Sequence, residues 1–429
     1  MSTTNNQRQP LDGVIVLEMA GLAPVPYCGM ILADFGATVI RVDRVVNGEA
    51  VATPFDHLTR GKQSIAIDLK SAQGRELLAT LAQRADVLID SFRPGVMEKL
   101  GLGPQQLMIN APRLIYARLT GFGQTGPYSK MAGHDINYIA LSGALSLLGR
   151  HNENPLFPSN YLGDFAAGSL LCALGIVLAL VERSSSGRGK LIDASMMDGA
   201  AYLSTFMWQL KKKGGMWDGE RGTNMLDSGA HYYEVYKTRD GRYMSVGAIE
   251  PQFYECLIKG LGLDGRTDLP EQNDQAEWPR MKKLLQEIFM TKTRDEWESV
   301  FFGTDACVAP VLELEELPSH PQSKARSLMF QSKSSAASTD VNDQEMMSSP
   351  RIFNMVADNH NQLSLASSLE TQQKEQIQRL ADRCKQLPLN AGANTTNILK
   401  QFGVEQYQIE KLLSNKYVVQ DNNIIMAKL

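Results

Sequence analysis

Residues 11–42 read LDGVIVLEMAGLAPVPYCGMILADFGATVIRV, and this stretch decides the fold class. Residues 14–17 form a short apolar run typical of a strand, and residues 26–35 have a helical pattern. Residues 38–42 form a second strand-like run. A strand, a helix and another strand in this order predict an α/β fold with a mainly parallel sheet covered by helices.

The same alternation continues further along the chain. Strand-like runs recur at residues 64–67, 87–90, 114–119 and 191–193, with a helical pattern at 72–85 between the first two. We therefore expect these segments to belong to one large domain.

The pattern changes after these segments. Strand-like runs at residues 232–236 and 243–246 flank the turn at 239–241, which predicts a hairpin. Helical patterns follow, one of which starts at Thr293 with a capping-box pattern. We expect a smaller α+β domain at residues 214–330.

The rest of the domain division follows composition. Residues 1–213 are assigned to the first part of the large domain. Residues 332–350 are rich in Ser, Asp, Gln and Ala, and they predict a linker at 331–390 that is partly mobile. Two short amphipathic helices within residues 391–429 are expected to return to the large domain.

Bulk properties exclude several classes of protein. The net charge of −4 argues against a nucleic-acid binder, although it allows a local basic pocket. The five cysteines are odd in number and widely spaced, so neither a disulfide framework nor a metal site is expected. Residues 165–181 form an uncharged apolar run of 17 residues, which is short for a membrane span and predicts a buried core helix.

Two residues could carry chemistry, and each has an ordinary interpretation beside the functional one. His134 follows a glycine-rich loop at the carboxyl end of a predicted parallel strand, where ligand sites gather, although lone histidines are more often core residues. Asp164 precedes the apolar run, which is typical of a helix N-cap. A base and an acid on opposite sides of one carbon atom are the minimum for inverting a stereocentre.

Other signals are weaker. The Gly-x-Gly-x-x-Gly match at 121–126 follows a strand, but Pro127 prevents a helix from opening there, so nicotinamide binding is not expected. These glycines would instead let the backbone pass close to a ligand. Glu250 lies between a predicted strand and helix, where an acidic residue is common. Cations near strand ends could form a solvated rim or bind phosphates. They are Arg41, Arg44, Lys62, Lys70 and Arg93.

Several motifs resemble those of the class III coenzyme A transferase family, and the resemblance runs from about residue 11 to residue 310. They are GLAP at 21–24, ADFGA at 33–37, RVDR at 41–44, RGK at 60–62, FRPG at 92–95 and GFGQ at 121–124. The segments GHDINY at 133–138 and IEPQF at 249–253 resemble the racemase branch of that family.

The resemblance implies an interlocked homodimer, in which each chain has a Rossmann-like large domain and a small domain. His134 and Asp164 match the family's catalytic positions, and Glu250 is expected to reach the site from the second chain. The positions that match CoA-contacting residues are Arg44, Ile67, Asp68, Leu69, Lys70, Arg93, Gly133, Asp135, Ile136, Asn137 and Tyr138.

The implied reaction is inversion at C2 of a 2-methyl-branched fatty acyl-CoA, including CoA esters of the bile-acid-intermediate type, through an enolate. Neutral His134 would take a proton on one face and protonated Asp164 would return one on the other. Glu250 would raise the pKa of Asp164 by charge repulsion. Backbone N–H groups near Asp164 would hold the enolate oxygen. No cofactor or metal is expected, because CoA is part of the substrate.

Two alternatives stay open. In a CoA transferase, Asp164 would be the nucleophile, and His134 would not be needed as a second base. In a CoA-ester binding protein, both residues would be dormant.

The final tripeptide Ala427-Lys428-Leu429 is similar to the peroxisomal signal Ser-Lys-Leu. It predicts an import receptor as a partner and a peroxisomal location, with a mitochondrial pool left open.

Overall fold

The computed structural model describes residues 9–53, 56–214, 216–332, 344–350, 362–384 and 389–420. The strands are β1 Ile15–Met19, β2 Thr38–Val46, β3 Glu49–Val51, β4 Lys62–Ile67, β5 Val87–Asp90, β6 Ile115–Thr120, β7 Leu191–Ser195, β8 Tyr233–Lys237, β9 Tyr243–Gly247, β10 Val308–Pro310, β11 Met329–Ser332, β12 Gln344–Met347 and β13 Val418–Val419.

The α-helices are α1 Pro24–Asp34, α2 Ala72–Ala82, α3 Val96–Lys99, α4 Pro104–Asn110, α5 Asp135–Leu141, α6 Leu171–Ser186, α7 Met196–Leu203, α8 Thr205–Lys213, α9 Pro251–Gly260, α10 Trp278–Phe289, α11 Arg294–Phe301, α12 Pro321–Arg326, α13 Gln362–Cys384, α14 Thr395–Gln401 and α15 Gln406–Ser414. A π-helical segment, Tyr161–Leu170, runs directly into α6, and short 3-10 helices lie at Ala144–Leu147 and Leu314–Glu316.

The chain divides into two compact units. The larger unit consists of Met1–Tyr138, Ser159–Ala200 and Pro321–Leu429. The smaller unit consists of Ile139–Pro158 and Ala201–His320. The larger unit contains a mainly parallel sheet, and the smaller one contains an antiparallel sheet.

The large sheet has the strand order β13-β4-β2-β1-β5-β6-β7, with β3 paired to β2. The strands from β4 to β7 in this order are parallel, whereas β13 and β3 are antiparallel additions. The chain builds outward from β1 to β4 and then returns to add β5, β6 and β7 on the other side. The predicted α/β fold is therefore confirmed, and β1 and β5 flank its topological switch point.

Helices bury both faces of the large sheet, as expected for parallel strands. Successive residues of β1 enter different cores, since Val16 packs in the cluster containing α1 and α6, and Leu17 packs in the cluster containing α2. Ile398 and Leu399 of α14 and Ile409 of α15 complete the α2 side. The C-terminal helices are thus part of the core of the larger unit.

The smaller unit is built on the sheet β10-β9-β8. Its β8–β9 hairpin corresponds to the hairpin predicted around residues 239–241. Thr293 and Glu296 form the predicted capping box: the Thr293 hydroxyl accepts from the Glu296 N–H at 3.2 Å, and the Glu296 carboxylate accepts from the Thr293 N–H at 2.7 Å. Trp278, Phe289 and Trp297 fill the core beneath the sheet.

Residues 331–390, which the composition assigned to a linker, contain regular structure where they are described. β12 pairs antiparallel with β11, and the 23-residue helix α13 follows. Leu380 and Cys384 of α13 are buried with Phe330. The apolar residues of α13 recur at helical spacing among polar ones, so an average over composition hides them.

The helix predicted over residues 165–181 buries only one of its faces. Cys172, Ala173 and Ile176 pack in the core with α1, while Leu178 and Val181 are 58% and 65% exposed. Within the part of the chain that the structure describes, Tyr161–Ser186 is the one helix long and apolar enough to cross a membrane, and 44% of its most apolar window is buried. The prediction of a buried core helix therefore holds for one face of this helix and not for the other.

The strand-end cations fall into two groups. Arg41 and Lys62 are 1% and 3% exposed, and they form ion pairs of 2.9 Å with Asp43 and 2.7 Å with Glu18. Because these carboxylates already neutralise them, neither can bind a phosphate or form a solvated rim. The exposed members of the set are Arg44, Lys70 and Arg93.

The Glu18–Lys62 pair makes stability depend on pH, and the dependence should become steeper when the cation is removed. Burial raises the pKa of the Glu18 carboxyl to about 7, and Lys62 opposes that rise. Lys62→Met is predicted to destabilise the fold by about 3–5 kcal/mol at neutral pH, because a buried carboxyl loses its partner. The folded protein then keeps a proton that the unfolded chain releases above the ordinary value of 4.5. Since the unfolded state binds fewer protons, the free energy of unfolding falls as pH rises.

Urea denaturation over about pH 5 to pH 8 measures this slope. The matched control is the double variant Glu18→Gln/Lys62→Met, which removes both charges and should recover most of the stability without the slope. A Lys62→Met protein whose stability did not change with pH would contradict the prediction.

Candidate active site

A cavity of about 210 Å³ lies at the switch point of the large sheet. The loops that follow β1, β5 and β6 line it, because the carboxyl ends of parallel strands meet at one edge. Its lining includes Leu22 after β1, Arg93 after β5, and Gly121, Gly133 and Tyr138 after β6. A ligand entering the cavity therefore meets three separate segments of the larger unit.

His134 lies in the turn that opens α5, beside this cavity. Its backbone N–H donates to Asn137 Oδ1 at 3.0 Å, and its carbonyl accepts from the Asn137 N–H at 2.8 Å. The Tyr138 hydroxyl donates to the Gly133 carbonyl and closes the same turn. The backbone of the turn is thus fixed, while the His134 side chain is exposed.

Two glycines of this region make room for a tyrosine. A Cβ atom on Gly121 would lie 2.0 Å from Tyr138 Cε1, and one on Gly133 would lie 2.8 Å from it. The Tyr138 ring also packs edge-on against Phe122, with the ring centroids 4.9 Å apart. The backbone at Gly121 therefore passes close to the Tyr138 side chain, which leaves no room for a Cβ atom. The close approach to a ligand that the sequence predicts stays a prediction.

Asp164 lies inside the π-helical segment and not at its N-cap. The N-cap is Asn160, whose Nδ2 donates to Asp164 Oδ2 at 2.5 Å. The Ser169 hydroxyl donates to the Asp164 carbonyl at 2.8 Å, and the rings of Tyr27 and Phe165 lie 4.9 Å apart. The N-cap interpretation of Asp164 was therefore wrong, and its carboxyl is held within a packed turn.

Asp164 is electrostatically linked to the His134 turn. Burial raises the pKa of the Asp164 carboxyl, the Asn160 hydrogen bond lowers it, the charge of Asp135 raises it, and the charge of His134 lowers it. Burial also raises the pKa of Tyr138 to about 12, and the charge of Asp164 adds to that rise. The structure thus brings Asp164, His134 and Tyr138 within electrostatic reach of one another.

Asp135 connects the two segments directly. It is 3% exposed, and its Oδ2 accepts from the backbone N–H of Asp164 at 2.7 Å. Burial raises the pKa of Asp135, and hydrogen bonds from the backbones of Asp164 and Gly163 lower it. Backbone N–H groups near Asp164 were expected to hold an enolate oxygen. In the structure, the N–H groups of Gly163 and Asp164 are already bound by the Asp135 carboxylate.

The positions predicted to contact CoA lie along the carboxyl edge of the sheet. Arg44 of β2 is the register partner of Ile67 at the end of β4, and Asp68, Leu69 and Lys70 follow directly. Arg44 and Lys70 are exposed. Arg93 is also exposed, and its guanidinium makes no ion pair with any residue that the structure describes. An anionic group at this edge would meet positive charge.

The remaining predicted positions differ in exposure. Ile136 and Asn137 are exposed at the start of α5, whereas the Tyr138 side chain is buried. Glu250 belongs to the smaller unit, where it is exposed at the N-cap position of α9 without a side-chain cap. Glu250 was expected to raise the pKa of Asp164 by charge repulsion. Within the larger unit, the negative charge of Asp135 already has this effect on Asp164.

The sequence did not predict that Asn160 binds the Asp164 side chain or that Asp135 binds the Asp164 backbone. Asn160 precedes Asp164 by one helical turn, a spacing at which side chains meet, and this signal could have been used. The direction of the Asp135 carboxylate had no such signal, because its partner is 29 residues away. Among the described residues, no group of His, Cys, Asp and Glu could hold a metal ion.

Comparisons with known proteins identify the family of this chain. The chain matches the model of CoA-transferase family III over residues 11–381. It is 47% identical over 411 residues to alpha-methylacyl-CoA racemase of Mus musculus, which covers 96% of this chain and 98% of that protein. It is 46% identical over 419 residues to alpha-methylacyl-CoA racemase of Homo sapiens, which covers 98% of this chain and 100% of that protein.

A solved structure supports the same relationship. The CAIB/BAIF family protein from Brucella suis is 27% identical, with a TM-score of 0.68, over 81% of this chain and 94% of that one. With a family model that spans most of its length and relatives of nearly half identity, the chain belongs to CoA-transferase family III.

Proposed function

We propose that this protein is a racemase that inverts C2 of 2-methyl-branched fatty acyl-CoA thioesters, including CoA esters of the bile-acid-intermediate type. The observation that carries the proposal is a buried Asp164 carboxyl within the electrostatic reach of His134, whose chain neighbour Gly133 lines the switch-point cavity. Similarity to two racemases over almost the whole chain supports the same reaction.

The reaction needs one proton acceptor and one proton donor. The thioester carbonyl acidifies the α-proton, because the electron pair of the broken C–H bond is delocalised into an enolate. Neutral His134 takes that proton on one face, and protonated Asp164 returns a proton to C2 on the other. The roles exchange in the reverse direction. Burial raises the pKa of Asp164, which favours the protonated form that this direction requires.

The CoA part of the substrate is proposed to lie along the carboxyl edge of the sheet. Arg44, Lys70 and Arg93 are exposed there and offer positive charge to its phosphates. The segments Ile67–Leu69 and Gly133–Tyr138 would contact the rest of the CoA group. The reaction is proposed to use no further cofactor and no metal ion, since the thioester itself stabilises the carbanion.

A homodimer is proposed on the basis of the exposed face of α6. The exposed large apolar residues recur at helical spacing, and they are Leu170 at the end of the π-helical segment and Leu174, Leu178 and Val181 of α6. An apolar stripe of this kind is typical of a protein–protein interface. In such a dimer, Glu250 of one chain would approach Asp164 of the other and add to the repulsion that raises its pKa.

A class III CoA transferase is the second candidate, and it has less support, because it rests on the description of the family alone. In that reaction, the Asp164 carboxylate attacks the thioester and expels the CoA thiolate, which leaves a mixed anhydride on the enzyme. The thiolate then attacks the Asp164 carbonyl of the anhydride, which forms an enzyme–CoA thioester and releases the acyl group as a free carboxylate. The raised pKa of Asp164 opposes this role, because the nucleophile has to be ionised. His134 would have no part as a second base.

The location in the cell stays a prediction from the sequence. The tripeptide Ala427-Lys428-Leu429 lies outside the described residues. Import by a receptor that reads this signal would bring the protein to the peroxisome, where oxidation of branched acyl chains would use its product.

The reaction can be tested with a single epimer of a 2-methylacyl-CoA in heavy water. We expect deuterium to enter C2 with loss of optical purity, because the returning proton comes from a group that exchanges with solvent. NMR of the α-position and chiral analysis of the acid measure both events. CoA transfer to an added free acid without exchange would identify the transferase, and neither event would leave a binding protein.

The two bases can be separated by substitution. His134→Ala and Asp164→Ala are each predicted to lower net epimerisation by at least about 100-fold, since each removes one proton-transfer group. Each variant should retain some exchange without inversion, for the epimer whose α-proton faces the remaining base. His57→Ala, which removes another exposed histidine of the same unit, is the matched control. Full epimerisation in His134→Ala would overturn the two-base assignment.

The proposed dimer can be tested on α6. Leu178→Asp/Val181→Asp is predicted to give a monomer of greatly reduced activity, because two charges cannot be buried in an apolar interface. Analytical ultracentrifugation at micromolar concentration measures the assembly state. Ile109→Asp, at a 78% exposed apolar position on α4, is the control and should stay dimeric. A monomeric wild-type protein would contradict the proposal.

A further inference from the structure

Asp135 differs from the other residues of the His134 turn in the direction of its side chain. It was expected to contact CoA, yet its carboxylate is buried and bonded to the backbone of Asp164, 29 residues away. The residue before it in the chain is His134. One side chain therefore links the segment that carries one proposed base to the segment that carries the other.

We propose that Asp135 is a positioning residue, whose buried carboxylate ties the His134 turn to the Asp164 helix and sets the separation between the two bases. This inference rests on the proposed racemase function, since only a two-base reaction needs that separation to be fixed. Asp135 itself does not touch the reacting carbon.

The tether is strong because of its chemistry. A carboxylate that accepts from a backbone N–H forms a charge-assisted hydrogen bond, which is shorter and stronger than a neutral one. The bond from the Asp164 N–H to Asp135 Oδ2 measures 2.7 Å, and both residues are less than 10% exposed. Little water competes for either group, so the Asp164 backbone is held against the start of α5.

The turn at the other end of the tether is also rigid. Asn137 Oδ1 accepts from the His134 N–H, and Tyr138 donates to the Gly133 carbonyl. The backbones of His134 and Asp135, which are neighbours in this rigid turn, therefore keep a fixed position relative to each other. A misplacement of about 1 Å between reacting groups can cost on the order of 100-fold in rate.

The charge of Asp135 has a second effect on the same carboxyl. The groups that act on the pKa of Asp164, after burial itself, are Asn160, Asp135 and His134, and the Tyr138 hydroxyl stays neutral beside them because its own pKa is about 12. Asp135 raises the pKa of Asp164, and the Asn160 hydrogen bond lowers it. Substitutions at Asp135 and Asn160 should therefore move the pKa of Asp164 in opposite directions.

The first test separates charge from tether at Asp135. Asp135→Asn keeps an oxygen that can accept from the Asp164 N–H but removes the negative charge. Because the charge of Asp135 raises the pKa of Asp164, its removal should lower that pKa. The part of the pH profile of kcat/KM that reports the titration of Asp164 should then move to lower pH. Asp135→Ala removes the acceptor as well, and kcat should fall about 10- to 100-fold with a smaller change in KM.

Two further variants complete the test. Asn160→Ala removes a donor to the Asp164 carboxylate, so the same limb should move to higher pH. Asp193→Asn is the matched control, because Asp193 holds the backbone N–H of Gln124 at 3.1 Å without acting on Asp164. It should leave the profile unchanged. Thermal unfolding of each variant shows whether the fold is retained.

The outcomes distinguish this inference from the proposed function. A wild-type protein without deuterium exchange at C2 would overturn the racemase itself. An active wild type whose kcat is unchanged in a folded Asp135→Ala would overturn the positioning role alone, whereas an unchanged pH profile in Asp135→Asn would overturn only the effect of its charge on Asp164. If Asp135→Ala does not fold, Asp135→Glu takes its place, because it keeps the charge but moves the acceptor oxygen by one methylene group. An unchanged kcat in Asp135→Glu would then overturn the positioning role.

Discussion

The reversal of strand order between β1 and β5 is the constraint on which the site depends. The strands on both sides of this point are parallel, so the loops after β1, β5 and β6 leave the sheet at one edge and diverge. The divergence opens the cavity at which Arg93 and Tyr138 meet. The same edge carries Arg44 and Ile67 in register, and the Arg44 side chain is exposed there.

Burial then decides the chemistry of the site. Two carboxyls, Asp135 and Asp164, lie in the same water-poor region, where a charged form is costly. Burial raises the pKa of both carboxyls, and they differ in that backbone N–H groups bind the Asp135 carboxylate while the Asn160 side chain binds that of Asp164.

Much of the fold was predictable because local pattern and tertiary packing agree. The strands near residues 14–17, 38–42 and 87–90 appear where the apolar runs predicted them, since a strand buried on both faces has to be apolar throughout. The capping box at Thr293 was also predictable, because all its atoms lie within one helical turn. The exposure of the outer face of the helix at 165–181 was not predictable, because an uninterrupted apolar run does not show which of its faces packs in the core.

For the site, the sequence alone determined that His134 follows a glycine-rich loop at the carboxyl end of a parallel strand, and that Asp164 lies at the start of a long apolar helix. The hydrogen bond between the His134 N–H and Asn137 was not predicted, although the two residues lie within one turn. Only the tertiary structure decided that the Asp135 side chain turns inward and binds the Asp164 backbone, and that Asn160 is the N-cap residue. It also decided that Arg41 and Lys62 form ion pairs with buried carboxylates. These contacts join distant segments, and their energies depend on burial, which a linear pattern does not specify.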